Sequence, residues 1–150
     1  MKKVWLFPFL SYASASLSLF LVTQSMIGSA APELSSLLLF GSFLYFLIIW
    51  MLVSSILWFF EQASFSSSML CAGTGIGGFS IYNIYYIAVE YSSESTTLLL
   101  NFWYLPYFLS YILSLSLTFI IATRTGVELN LKKAAITWLI VYLVSWIKGI

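Results

Sequence analysis

Residues 34–60 read LSSLLLFGSFLYFLIIWMLVSSILWFF, and no charged side chain interrupts them between Glu33 and Glu61. A helix needs about 20 predominantly apolar residues to cross the hydrocarbon core of a bilayer, which is about 30 Å thick. This stretch is longer than that. It therefore predicts a helix that spans a membrane, and the rest of the chain contains further long uncharged runs of the same kind.

The remaining charges are few and fall at nearly even intervals. The 150 residues carry six basic and five acidic side chains, and the uncharged runs besides 34–60 are 4–32, 62–89, 95–123 and 134–147. Charged residues make up 7% of the chain, against about 25% in a soluble domain. We therefore expect an all-α, polytopic membrane helical bundle with five spans in one integral membrane domain. The predicted spans are about 4–27, 34–60, 67–91, 97–123 and 131–149.

The signs of the charges predict an orientation. With the N-terminus in the cytoplasm, five of the six basic residues lie inside, and the outer loops hold only acidic charges. The positive-inside rule favours this arrangement, which places the C-terminus outside. The inside residues are Lys2, Lys3, Arg124, Lys132 and Lys133. The first apolar run is longer than the core of a signal peptide, about 7–15 residues, so we expect a retained span.

Several kinds of chemistry are excluded by missing residues. The chain has no His and no Asp, and Cys71 is its single cysteine. A site built on histidine for haem or metal is therefore absent, and so is an internal disulfide. No basic cluster exceeds a lysine pair, which excludes an ordinary nucleic-acid surface. We expect no cofactor, no metal and no catalytic residue.

Residues 73–78 read GTGIGG, and two interpretations of this glycine segment stay open. Gly73 and Gly77 form a G-x-x-x-G pattern, which lets membrane helices approach closely. Alternatively, the glycines break the third helix, and unwound backbone lines a binding cavity. The G-x-G-x-x-G match lies inside an apolar span with no strand before it, which argues against a dinucleotide site. The residues for a helix break or packing are Gly73, Gly75, Gly77, Gly78 and, as a kink in the fourth helix, Pro106.

Polar and aromatic side chains in the spans suggest further sites. Four polar residues toward the outer side predict either a polar pocket or hydrogen bonds between helices: Gln24, Asn83, Glu90 and Asn101. Two groups of tyrosines predict an aromatic cavity for an apolar or cationic ligand, or else packing at the interface: Tyr82, Tyr85 and Tyr86 with Tyr104, Tyr107 and Tyr111. Charges expected at the inner surface are Glu61, Arg124, Lys132 and Lys133, with Glu61 opposite Arg124.

Residues 126–134, GVELNLKKA, lead into the last span, and residues 77–80 read GGFS. With five short-looped spans, these features resemble the Yip-type (Ypt-interacting-protein) membrane domain over about residues 55–147. The resemblance implies a membrane protein without catalytic activity that works through partners.

Three functions therefore remain open. The first is a non-catalytic subunit or scaffold of a membrane complex, which contacts other membrane subunits or itself through its helices. The second is a small transporter or channel with a pocket near the glycine-rich third helix. The third is a membrane enzyme acting on lipid, with a Ser or Tyr nucleophile and a Glu or Lys base.

Overall fold

A computed structural model describes residues 3–27, 32–61, 64–91 and 104–148. These residues are helical apart from short turns and the loop 127–130, and no strand occurs among them. The helices are α1 (Leu6–Ile27), α2 (Pro32–Glu61), α3 (Phe65–Gly75), α4 (Phe79–Tyr91), α5 (Tyr104–Thr125) and α6 (Leu131–Lys148). The all-helical fold predicted from the sequence is confirmed for this part of the chain.

The third predicted span consists of two helices in line. A single 3₁₀ turn, Ile76–Gly78, joins α3 to α4, and we call residues 65–91 the central rod. The rod contacts α1 and α5 along its length and α2 chiefly through α3. The segment from Leu70 to Ile76 is buried without interruption. The bundle is therefore built around the segment that is richest in glycine.

Contacts between side chains give the direction of each helix. Tyr12 donates to the Phe43 carbonyl, and Gln24 lies near Ser35, so α1 and α2 are antiparallel. The α1 helix and the rod are parallel, because their contacts advance together along both sequences. The successive pairs are Pro8 with Gly73, Ser11 with Gly77, Ser14 with Ser80, and Ser18 with Asn83.

The other neighbours alternate in direction. Tyr82 of the rod packs on Tyr107 of α5, while Cys71 lies beside Thr118, so these helices are antiparallel. Trp138 of α6 reaches back to Thr118 of α5. One end of the bundle consequently gathers four of the basic residues, and we call it the basic end: Lys3, Arg124, Lys132 and Lys133.

Polarity is inverted relative to a water-soluble protein. Large apolar side chains face outward on every long helix, for example Leu37, Phe40 and Ile48 of α2, which are 65%, 66% and 60% exposed. Hydroxyl and amide side chains are buried instead: Ser16, Ser18, Ser42, Ser54, Ser68, Thr74, Ser80, Asn83, Ser110, Ser114, Thr118 and Thr137. An apolar surface this continuous is typical of a protein surrounded by lipid.

Three described helices are long and apolar enough to cross a membrane. They are Leu6–Gln24, Glu33–Phe60 and Leu105–Thr125, which fall in the first, second and fourth predicted spans. The central rod is divided by its 3₁₀ turn, and α6 carries Lys132, Lys133 and Lys148. The finding is therefore three membrane-crossing helices by length and composition.

The connection between α5 and α6 follows local sequence signals. Gly126 has a φ of 71°, and the Val127 amide donates to the Ala122 carbonyl, as in a Schellman motif. The Asn130 carboxamide oxygen accepts from the amides of Lys132 and Lys133 at 3.0 and 3.4 Å. Gly126 therefore caps the C-terminus of α5, and Asn130 caps the N-terminus of α6, as these residue types favour.

Candidate functional site: the glycine segment and a tyrosine cluster

The backbone of the glycine segment stays helical. Gly75, Ile76 and Phe79 have φ and ψ values of −66° and −27°, −56° and −28°, and −61° and −24°. The turn tightens from α-helical to 3₁₀ geometry without reversing direction or exposing an extended stretch. The described residues of the rod thus contain no unwound backbone of the kind that would line a binding cavity at this segment.

Two of the glycines allow close approach of α1 and α2. A Cβ atom added to Gly73 would lie 2.5 Å from Trp50 Cε2 and 2.6 Å from Pro8 Cβ. One added to Gly77 would lie 3.0 Å from the Ser11 hydroxyl. Gly73 and Gly77 therefore face α1 together, as the G-x-x-x-G interpretation predicts.

The other two glycines face the opposite side of the bundle. A Cβ on Gly75 would collide with the Trp138 indole and would lie 2.5 Å from Thr118 Oγ1. A Cβ on Gly78 would collide with Ser114 Oγ and approach the backbone, at 2.6 Å from the Ser110 carbonyl. The segment therefore lets helices approach the rod from both sides.

A chain of polar contacts joins α5 to α6 beside the rod. Trp138 Nε1 donates to Thr118 Oγ1 at 3.0 Å, and Thr118 Oγ1 donates in turn to the Ser114 carbonyl at 2.8 Å. The hydroxyls of Ser114 and Tyr142 are 2.7 Å apart. These groups are buried together, so each satisfies hydrogen-bonding capacity that lipid could not.

The predicted outer polar set is only partly described. Asn83 Nδ2 donates to Ser18 Oγ at 2.9 Å, while Gln24 Nε2 lies 3.5 Å from Ser35 Oγ. Asn83 therefore joins the rod to α1, and Gln24 is directed toward α2, so the two do not share a partner. Asn101 and the side chain of Glu90 lie outside the described residues.

Pro106 is the third residue of α5 as described, and it is buried. The predicted segment 97–103, which would place Pro106 within the helix and kink it, lies outside the described residues.

At the basic end, α6 contacts the end of α2. Lys133 Nζ donates to the Phe60 carbonyl at 2.9 Å, which satisfies one of the last carbonyls of α2. Arg124 and Lys132 are exposed. The side chain of Glu61 lies outside the described part, so its predicted pairing with Arg124 stays a prediction.

Tyrosines from four helices converge beyond the glycine segment. The ring centroids of Tyr82 and Tyr107 are 4.1 Å apart. Tyr142 of α6 lies beside Tyr111 of α5, with centroids 6.1 Å apart, and Tyr45 of α2 is linked to Tyr142 through Phe46 and Phe79. We call Tyr45, Tyr82, Tyr107 and Tyr142 the tyrosine cluster.

Phenylalanine rings connect the members of the tyrosine cluster. Phe79 stacks on Tyr142 with centroids 4.3 Å apart and an interplanar angle of 7°. Phe46 meets Phe79 edge-on at 5.4 Å and lies beside Tyr45 at 5.1 Å. Phe79, the first residue of α4, therefore packs between α2 and α6.

Sequence reasoning found half of the tyrosine cluster. It grouped Tyr82 with Tyr107, which the structure brings together, but it missed Tyr45 and Tyr142. Those two lie in long apolar stretches, where no signal in the sequence distinguishes them from packing residues. Tyr111, also in the predicted group, donates to the Ala135 carbonyl at 3.0 Å and thereby joins α5 to α6.

Comparisons with known proteins add no relative. No family model matches the chain, and neither a curated protein nor a solved structure matches it. Within the described residues, no group of three or more His, Cys, Asp or Glu side chains is placed to hold a metal ion. The functional argument therefore rests on the geometry of this chain.

Proposed function

We propose that the chain is a five-span integral membrane protein that acts without catalysis, as a subunit or scaffold of a membrane complex. The basic end faces the cytoplasm, together with the N-terminus, and the C-terminus lies outside. Three helices of sufficient length, the inverted polarity and the alternating helix directions support the span count. The gathering of Lys3, Arg124, Lys132 and Lys133 at one end supports the orientation.

Single-cysteine labelling tests this topology. In a Cys71→Ser background, Glu33→Cys and Lys132→Cys are exposed positions at opposite ends of the bundle. With an impermeant maleimide and sealed right-side-out vesicles, we expect Glu33→Cys to react directly and Lys132→Cys to react only after permeabilisation. The reverse pattern would contradict the orientation. Gly149→Cys should react directly if α6 completes the fifth span. Protection until permeabilisation would show that α6 does not cross the membrane.

The observation that supports a scaffold role is Gly41 in the middle of α2. A Cβ added at Gly41 would have nothing within 4 Å, whereas the glycines of the rod all contact neighbouring helices. Gly41 lies at helical spacing with Leu37, Leu44 and Ile48, which are 65%, 44% and 60% exposed. We call these four residues the Gly41 face.

A glycine inside a helix costs about 1 kcal/mol relative to alanine, and at Gly41 no contact with the described residues offsets that cost. In lipid, a small residue between larger ones is where a second helix approaches most closely. The Gly41 face is therefore the surface on which we place the partner helix, from another subunit or a second copy of the chain.

Substitution at Gly41 tests the scaffold role. We expect the protein, crosslinked in its native membrane and then purified in mild detergent, to appear in a complex with itself or another membrane protein. Gly41→Leu should abolish that complex because its side chain fills the site of closest approach. Ser116→Leu is the matched control, since Ser116 is an exposed small residue on α5. A wild-type chain that is only monomeric, or a Gly41→Leu complex that persists, would refute the proposal.

A further inference from the structure

The two ends of the bundle carry opposite net charge. Among the described positions, the four residues of the basic end face two acidic residues at the same end, Glu61 and Glu128. The other end has the acidic residues Glu33 and Glu90 and the single basic residue Lys148. The formal charge of these positions is therefore +2 at the basic end and −1 at the opposite end.

Two exposed cations of the basic end lie at the same level of adjacent helices. The antiparallel helices α5 and α6 are joined by the 3.0 Å hydrogen bond from Trp138 to Thr118. Arg124 follows Thr118 by six residues, and Lys132 precedes Trp138 by six residues. Because a helix rises about 1.5 Å per residue, both cations lie about 9 Å beyond that bond along the bundle.

That level is the edge of the apolar outer surface. On α6, Lys132 lies at helical spacing with Ile136 and Leu139, whose side chains are 51% and 47% exposed. On α5, Arg124 comes one turn after Ile120, which is 52% exposed. A basic side chain one turn beyond side chains that face lipid extends its charge to the depth of the phospholipid headgroups.

Neither cation is neutralised by the described part of the chain. Arg124 and Lys132 have no ion-pair partner there, and Glu128, on the connection between them, is exposed and pairs with neither. Asn130 accepts from the amides of Lys132 and Lys133, so an anion at this place would be bound by side chains and not by these backbone donors. The Lys133 ammonium donates to a neutral carbonyl of α2 and keeps its positive charge.

We propose that the basic end associates preferentially with acidic phospholipids of the surrounding leaflet. Their headgroups lie against Arg124 and Lys132, and their acyl chains cover the outer faces of α5 and α6. Each basic residue near an anionic lipid surface strengthens such an association by roughly fivefold. A zwitterionic phospholipid carries the same phosphate, but its ammonium group offsets the attraction. The contact does not involve the Gly41 face, so it does not depend on a partner helix.

Spin-labelled lipids with identical acyl chains test the charge requirement. In phosphatidylcholine vesicles that contain the full chain, electron paramagnetic resonance separates lipid held at the protein surface from bulk lipid. We expect labelled phosphatidylglycerol to associate about threefold more strongly than labelled phosphatidylcholine, and we expect this preference to disappear in about 1 M NaCl, where the Debye length is about 3 Å. Equal association of the two lipids at low salt, or a preference that persists at high salt, would overturn the proposal. Loss of the preference on adding inorganic phosphate at constant ionic strength would also overturn it, because the surface would then bind a soluble anion.

Substitution of the two exposed cations tests their role. The double variant Arg124→Gln, Lys132→Gln should lose most of the preference, whereas the charge-conserving double variant Arg124→Lys, Lys132→Arg should keep it. Lys148→Gln removes a charge at the opposite end and should leave the preference unchanged. A preference that survives the double glutamine substitution, or that falls equally in Lys148→Gln, would overturn the assignment to the basic end.

Discussion

The glycines of the central rod and Gly41 on α2 show opposite uses of the same residue. Around Gly73, Gly75 and Gly78, a single added carbon would lie 2.6 Å or less from an atom of another helix. Around Gly41, the same carbon would meet no atom of the described residues within 4 Å. Glycine therefore permits the closest contacts inside this bundle, and on its surface it leaves a gap that the described residues do not fill.

The comparison also explains why the small residues of α1 lie where they do. Ser11, Ser14 and Ser18 all face the rod, and each meets its partner about one helical turn after the previous one. The small-residue stripes of the first and third spans therefore stabilise the fold of this chain. Among the described glycines within helices, they leave Gly41 of α2 as the one that is open to a partner.

The largest effect is expected at Gly78. In Gly78→Ala the new methyl group would lie 2.6 Å from the Ser110 carbonyl and 2.7 Å from the Ser114 amide. Both are backbone atoms, so α5 must move as a whole to relieve the clash. We expect a loss of about 3 kcal/mol in the free energy of unfolding, measured by circular dichroism during denaturation in detergent.

Gly77→Ala is the matched control for this substitution. Its nearest atoms belong to the side chains of Ser11 and Leu117, at 3.0 to 3.3 Å, and side chains can rotate away. We expect this substitution to lower the free energy of unfolding by less than about 1 kcal/mol, because the site can adjust to one added methyl group. If Gly78→Ala were no more destabilising than Gly77→Ala, the close backbone approach of α5 to the rod would be refuted.

Features that depend on neighbouring residues were predictable from the sequence. The helix boundaries follow the charges and turn residues, and the caps at Gly126 and Asn130 follow their residue types. Each of these is decided within a few positions of the chain. The bounds of α2, Pro32–Glu61, accordingly differ from the predicted 34–60 by one or two residues.

Features that depend on the packing of distant helices were not predictable. The sequence placed Gly73 and Gly77 on one face of the rod, but it could not show that Gly75 contacts Trp138, 63 positions later in the numbering. The positions of Tyr45 and Tyr142 in the tyrosine cluster could not be predicted for the same reason. Helix rotation and crossing decide such contacts, and a uniformly apolar helix carries no periodic pattern that fixes its rotation.

A smaller loss is expected at Trp138, which packs over Gly75. Trp138→Phe removes the hydrogen bond to Thr118 and part of a ring that is 0% exposed. Thr118 keeps its bond to the Ser114 carbonyl, so no buried oxygen is stranded. We expect about 2 kcal/mol of destabilisation in the same denaturation assay, mostly from the cavity left above Gly75.

A double-mutant cycle with Thr118→Val separates the hydrogen bond from the cavity. Hydrogen bonds between membrane helices average about 0.6 kcal/mol in such cycles, so we expect a coupling of that size between the two positions. Strictly additive effects would mean that the indole acts by filling space alone. The contact between α5 and α6 at this point would then depend on packing, without a polar contribution.

The smallest effect, and the one of opposite sign, is expected at Gly41. Gly41→Ala adds a methyl group that has no described atom within 4 Å, and it raises helix propensity. We therefore expect the free energy of unfolding of the isolated chain to rise by about 0.5 kcal/mol. The same substitution should weaken assembly, because the methyl group moves a partner helix outward. Denaturation measures the first quantity and crosslinking yield measures the second. A stabilised monomer with reduced assembly separates the two uses of glycine, whereas a destabilised monomer would show that Gly41 serves the fold, as the rod glycines do.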